Sequence, residues 1–216
     1  MEAYSLKDVK RVYSYYGKSP FIYNISSYII FFGKEDFLRK RAIDKLDLKG
    51  GDRVLDLACG MGNNFYYLNN KVGCNGHIIG IDYTEEMLKV ARKKAKLKGL
   101  GNIRLIKKDA AKLNFPKNYF DGIISTIGVS SIPKYKEALK KSINSLKIGK
   151  KIVILDGKLF DNKYKILNPI IKCLRWSKSW MVNADIEKYA KELLNDVKTE
   201  KFFGGSIYIT SGTKIE

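Results

Sequence analysis

The chain is 216 residues long, 45% hydrophobic, with 4 prolines, which suits one α/β domain with a full core and leaves no room for two large ones. Aromatic residues at 12% and charged residues at 29% exclude an intrinsically disordered chain, and no repeat period or low-complexity tract is visible. The formal net charge of +19 draws anionic partners through the field of the whole protein, nucleic acid and anionic lipid alike. A compositional reading stands beside it: the chain is rich in Lys, Ile, Asn and Tyr, with lysine as its default exposed residue.

No apolar run reaches the roughly 20 residues that cross a bilayer; the longest, Phe21 to Phe32, is broken by Asn24, Ser26 and Ser27. The first residues carry no basic, apolar and small-residue export signal, so the cytoplasm is the expected location. Cys59, Cys74 and Cys173 are an odd number without CxxC spacing, which argues against a disulfide framework, a zinc site or a dithiol centre. All three read as small apolar residues, and no metal is expected.

In chain order, an aromatic-rich leader runs through about Phe32. Short apolar runs then alternate with helical patterns: Arg53–Leu57, His77–Ile81, Ile103–Ile106, Asp121–Ser125 and Lys151–Leu155 read as strands. This alternation predicts a parallel sheet with helices on both faces. The clearest helix follows Asp82, with Thr84 as its cap, Glu85 and Glu86 in its first turn, Met87, Leu88, Ala91 and Ala95 facing the core, and Gly99 at its end. Its run of six basic residues from Lys89 to Lys98 reads as a solvated face. Beyond Leu155, a segment containing Pro169, Trp176 and Trp180 precedes a hairpin-like pair, Val197–Phe203 and Ser206–Thr213, turned by Gly204 and Gly205. The pair would complete a seven-stranded mixed sheet.

The chemistry concentrates where Val54-Leu55-Asp56-Leu57-Ala58-Cys59-Gly60-Met61-Gly62 runs from a strand into a glycine turn and then a helix beginning near Asn63. Gly60 and Gly62 let the backbone approach a ligand at the carboxyl end of a central strand. The third glycine of a dinucleotide fingerprint is replaced by Phe65, and no phosphate-binding G-x-x-x-x-G-K-[ST] loop exists. A nucleoside without a diphosphate remains. Asp82, at the tip of the next strand, is placed to accept both ribose hydroxyls. Asp109, at the tip of the third, is placed to accept from an adenine amino group, with Ala110 offering a backbone amide. The one histidine, His77, starts a strand and so lies at the opposite end of the sheet from this site.

With VLDLACGMG, IIGID, KKDAAKLNFPKNYFD and SLKIGKKIVILD, residues 35 to 160 resemble a class I S-adenosylmethionine-dependent methyltransferase. The resemblance implies a Rossmann-like, doubly wound, seven-stranded, mostly parallel sheet with an antiparallel last strand, and S-adenosyl-L-methionine as cofactor. It implies that Gly60 and Gly62 meet the methionine portion, Asp82 the ribose, and Asp109 with Ala110 the adenine. Asp56, Ala58 and Met61 would line the same turn, Tyr83 and Met87 would bind the cofactor beside Asp82, and Ser125 and Thr126 would close the site. Ala-Cys, Met61 and Ile148-Gly149-Lys150 depart from the commoner Gly-Cys, Thr and Pro-Gly-Gly, which blurs the subfamily.

A softer resemblance, through the aromatic leader, Lys40-Arg41-Ala42 and Ser131-Ile132-Pro133-Lys134-Tyr135, points to quinone-ring and phospholipid amine methyltransferases, with Leu155-Asp156-Gly157-Lys158-Leu159, Asn168-Pro169 and Gly205-Ser206-Ile207-Tyr208 leaning toward the phospholipid members. It implies that residues 1–34 form a helical lid on a domain spanning 35–216, with Tyr13, Tyr16 and Tyr23 near the site and Tyr16 and Tyr23 touching the cofactor; each of these tyrosines also reads as a packing aromatic. Tyr16, Tyr23, Ser130 and Tyr208 are the candidates for positioning an acceptor, and no catalytic residue is assigned.

Methyl transfer from a sulfonium needs alignment and exclusion of water more than acid–base groups. The leading expectation is a lipid-like or quinone-like acceptor, methylated on an amine or a ring carbon. A soluble small molecule comes next, then RNA, then a nonenzymatic module that binds the cofactor and uses its basic surface; nucleic acid ranks behind because residues 126–133, after the fourth strand, lack the Asn or Asp with Pro-Pro and an aromatic found in nucleic-acid amino methyltransferases. Phe21, Ile22, Ile25, Ile29 and Ile30 with Lys34, Arg39, Lys40 and Arg41 form one apolar patch with a basic flank. Ile170, Ile171, Leu174, Trp176 and Trp180 with Lys172, Arg175 and Lys178 form another. Both suit peripheral contact with an anionic membrane, and both suit core helices with lysine outside. The oligomeric state is left open.

Overall fold

The structure is a computed structural model that describes residues 5–160, 162–169 and 184–215. Its centre is a seven-stranded sheet in the order β3-β2-β1-β4-β5-β7-β6, built from β1 (Arg53–Leu57), β2 (His77–Asp82), β3 (Ile103–Lys107), β4 (Phe120–Thr126), β5 (Leu146–Gly157), β6 (Asn195–Phe202) and β7 (Ile207–Thr213). The first five strands are parallel, and β7 runs antiparallel between β5 and β6. This is the sheet that the apolar runs predict.

The helices are α1 (Leu6–Lys18), α2 (Pro20–Ile30), α3 (Glu35–Asp44), α4 (Phe65–Val72), α5 (Glu85–Leu97), α6 (Tyr135–Ser145) and α7 (Ile186–Leu193). Alternation along the strands divides the core between the two faces. Leu55, Leu57, Ile123 and Ile152 pack with Leu139 and Ile143 of α6 and with Ile186 and Ala190 of α7. Val54, Ile78, Ile124 and Val153 pack with Leu38 and Ala42 of α3, Phe65 and Leu68 of α4, and Leu88 of α5. The chain reverses its direction of winding between β1 and β4, which opens the crevice at their carboxyl ends.

Several local expectations are corrected. Thr84 occupies the N-cap position of α5, but its hydroxyl makes no cap hydrogen bond; the Thr84 amide donates instead to Asp82 Oδ1 at 2.8 Å. β5 begins at Leu146, before a left-handed Gly149, and its pairing with β4 shifts register between Phe120 and Gly122. Cys59 is buried as expected, whereas Cys74 is exposed on the α4–β2 loop. Cys173 and the whole patch from Ile170 to Trp180 lie outside the described residues. His77 is exposed at the start of β2, away from the crevice.

The leader is helical. Ser5 and Asp8 form a reciprocal capping box at the start of α1, and Pro20 sits in the first turn of α2. α1 rests directly on α5: a Cβ on Gly17 would stand 2.6 Å from the Glu86 backbone, and Ser14 Oγ donates to Glu86 Oε2 at 2.9 Å. Tyr13 meets Ser131 at 2.5 Å, hydroxyl to hydroxyl.

Candidate active site

The carboxyl ends of β1 to β4 and the inner sides of α1 and α2 enclose one cavity. Tyr23, Ala58, Gly60, Met61, Asp82, Tyr83, Met87, Asp109, Ala110 and Thr126 all line it. The expected residues that do not line it miss for identifiable reasons. Strand alternation turns Ser125 to the opposite face of β4, where its Oγ donates to Leu57 O at 2.8 Å and fastens β4 to β1. Gly62 borders a separate cleft of about 420 Å³ on the α4 side of the turn. Tyr16 stacks edge-on against Tyr23 at 5.5 Å and supports it from behind. Ser130 and Tyr208 are buried beside Asp156 instead: Ser130 donates from its Oγ at 2.6 Å and its amide at 2.9 Å to that carboxylate. Burial raises Asp156 to about 6, and burial beside Asp156 drives the Tyr208 hydroxyl well up.

The glycine turn owes its shape to Asp82. Its Oδ2 accepts the Gly60 amide at 2.9 Å while Oδ1 accepts the Thr84 amide, so one carboxylate pins the turn to the start of α5 while it lines the cavity. Burial raises its pKa to about 6 against the backbone amides that hold it, those of Thr84, Gly60 and Tyr83. Gly60 is left-handed, φ +52°, and a Cβ there would meet only Met87 Cε, at 3.6 Å, and would project into the cavity. Ala58 and Ile127, at the ends of β1 and β4, hold φ of +55° and +59° without being glycine. Asp109 accepts the Ala111 amide at 2.9 Å, so the expected adenine-facing acid also caps its own short turn.

Sequence reasoning missed the buried cation. Arg39 is only 3% exposed and lines the cavity, so it belongs to no membrane-facing flank. Its Nε and Nη2 donate to Glu35 Oε1, and its Nη1 donates to Asn64 Oδ1 at 3.0 Å and to Thr126 Oγ1. Asn64 Nδ2 in turn donates to Asp56 Oδ1 at 2.9 Å. Burial pushes Glu35 up, but Arg39 and the Ser27 hydroxyl outweigh it and hold the carboxyl below its usual range. Tyr23, also beside Arg39, is raised by burial to about 12. Asp56 lies behind the turn, fully buried; burial lifts it to about 7, and its Oδ2 has no hydrogen-bond partner among the described residues. The i, i+4 spacing of Glu35 and Arg39 was the available signal, hidden in the basic run Arg39-Lys40-Arg41.

These features fit S-adenosylmethionine: an open cradle at Gly60, acids at two strand tips, and an orphaned buried oxygen at Asp56 that calls for a cationic donor. A profile of the ubiE/COQ5 methyltransferase family matches residues 4–189. The chain belongs to the ubiE/COQ5 methyltransferase family. Its fold is that of the class I, S-adenosylmethionine-dependent methyltransferases. It is similar to the demethylmenaquinone methyltransferase of Staphylococcus saprophyticus, 30% identical over 208 residues that cover 86% of this chain and 88% of that one. It also resembles the enzyme of that name from Bacillus cytotoxicus, 31% identical over 147 residues. That match takes in 68% of this chain and 62% of the Bacillus protein, so the shared part is somewhat under two thirds of its length. A SAM dependent methyltransferase from Aquifex aeolicus has the same fold, with a TM-score of 0.64 at 20% identity over 82% of this chain and 89% of its own.

Proposed function

We propose that this chain transfers a methyl group from S-adenosylmethionine to a ring carbon of a quinol-type acceptor carrying an apolar tail. When bound, the cofactor supplies a methyl on a sulfonium whose leaving group is a neutral thioether. Asp82 would take the ribose hydroxyls, Asp109 and Ala110 the adenine, and the Ala58–Met61 backbone the methionine portion. Arg39 would face the cofactor carboxylate, with Asp56 behind the turn facing its ammonium.

The observation that carries the acceptor reading is the character of the opposite wall. Leu6 and Val9 of α1 with Ile132 and Pro133 of the β4–α6 loop make it apolar, and its polar contribution is the Tyr13–Ser131 hydroxyl pair. A flat ring bearing hydroxyls suits such a wall: the apolar side chains exclude water, and the hydroxyl pair can hold the ring oxygen whose ionisation makes the neighbouring carbon nucleophilic. The relatives in Staphylococcus and Bacillus, named for demethylmenaquinone, support the same class of acceptor. A phospholipid amine would gain nothing specific from this wall.

The enclosed volume is small, about 70 Å³, well below the several hundred Å³ of ordinary ligand pockets. α1 and α2 would therefore act as a lid that lifts before both ligands enter. The test is transfer of labelled methyl to a demethylated naphthoquinol with a short prenyl tail, beside phosphatidylethanolamine vesicles and an RNA pool. The expected product is the ring-methylated quinol, with Tyr13→Phe lowering kcat about tenfold or more at unchanged S-adenosylhomocysteine affinity. Label in lipid amine or RNA alone would refute the reading.

A further inference from the structure

α2 is turned inside out. None of its 11 residues is charged, and its buried residue is Ser27, whose hydroxyl donates to Glu35. Phe21, Ile25, Tyr28 and Ile29 face solvent, exposed by 74%, 44%, 68% and 60%. At 3.6 residues per turn the spacing i, i+4, i+7, i+8 places them on one stripe. Phe32, 69% exposed although its ring touches Phe203, follows the stripe past the helix end, and Phe37 is exposed on α3 close behind it in sequence. Scattered exposed apolar side chains need no cause, whereas a continuous stripe marks a surface that something covers.

Charge identifies the cover. Lys18 and Lys34 stand at the two ends of α2, and Lys40 is exposed on α3, beside Arg41, whose charge is paired with Glu200. Of the acids that begin α3, Glu35 is bound to Arg39 and Ser27, leaving Asp36 against this basic margin. A second copy would bring +19 onto +19, which repels, whereas an anionic bilayer attracts the basic margin and takes up the stripe. The opposite side of the same helix carries Tyr23 to the cavity wall.

We propose that the Phe21–Ile25–Tyr28–Ile29 face of α2 docks the protein on an anionic bilayer surface, directly outside the cavity. The proposal deepens the reading above and rests on it only for why a lipid-borne acceptor would be met there.

The test is flotation of the full chain with vesicles of phosphatidylcholine and phosphatidylglycerol, and with phosphatidylcholine alone, at low and high NaCl. The chain is expected to float with the anionic vesicles at low salt and to be released at high salt. Phe21→Ser with Ile25→Ser should lower that binding by about tenfold or more, while Leu97→Ser, at a residue 76% exposed at the end of α5, should leave it unchanged. S-adenosylhomocysteine affinity, measured by calorimetry, certifies that each variant is folded. Equal flotation with both vesicle types, no flotation, or a double variant that floats like the parent would each overturn the proposal. So would a dimer in sedimentation velocity that the double variant dissolves without change on vesicles, because the face would then belong to a second copy. A chain that binds S-adenosylhomocysteine and ignores vesicles sinks the docking proposal alone.

Discussion

Asp82 does two jobs with one carboxylate: it anchors the Gly60 and Thr84 amides and lines the cavity. Asp82→Asn replaces a charged acceptor by a neutral one and should weaken S-adenosylhomocysteine binding by about 1.5–3 kcal/mol, or roughly ten- to hundredfold, in calorimetry. The pH dependence follows from its raised pKa of about 6. A protonated carboxyl cannot accept from both ribose hydroxyls, so affinity should be full above that value. It should fall as pH drops through it, by at most about tenfold per unit for one proton. Titrating the parent between acid and neutral pH checks this; a flat profile would remove Asp82 from the ribose. Asp82 and Asp109 were legible in the sequence because each follows a local rule, an acid at or just past the carboxyl end of an apolar strand. Arg39 was not, because burial of one member of a basic run is decided by Glu35, Asn64 and Thr126 from three different segments.

At the scale of elements, α3 is tied to β4 and to the glycine turn through Arg39. Removing one partner of a buried charged network leaves the others uncompensated, so Arg39→Ala should destabilise the fold by about 3–5 kcal/mol in urea titration. α1 is held by close backbone contact at Gly17, where a side chain would collide with the Glu86 backbone at 2.6 Å. Gly17→Val should lift α1, speeding amide exchange across 6–18 while the strands keep their protection, with weaker cofactor retention as the functional readout. Strand positions were readable from period and from flanking glycines. The side of a strand was harder: Ser125 and Thr126 are neighbours of similar chemistry, and only the register of β4 against β1 assigns the cavity to Thr126. Ser5 and Asp8 offered a readable helix start that the aromatic content of the leader obscured.

For the whole molecule, the excess of 41 basic over 22 acidic residues makes the compact state self-repelling. Thermal midpoints should rise by a few degrees, about 1 kcal/mol in stability, as NaCl screens that repulsion; scanning calorimetry across a salt series checks it, and a flat or falling trend would mean local pairs dominate. The parallel sheet with its late antiparallel pair was within reach of the sequence because short apolar runs alternate with helical patterns. The orientation of α2 was not, since a hydrophobic run punctuated by serines gives no indication of which side meets solvent. Ala58, poised left-handed where β1 meets the cavity, stores about 1–3 kcal/mol of backbone strain. A laboratory lineage bred for heat resistance alone would therefore drift toward glycine or asparagine at position 58, and its survivors would come out sturdier and slower.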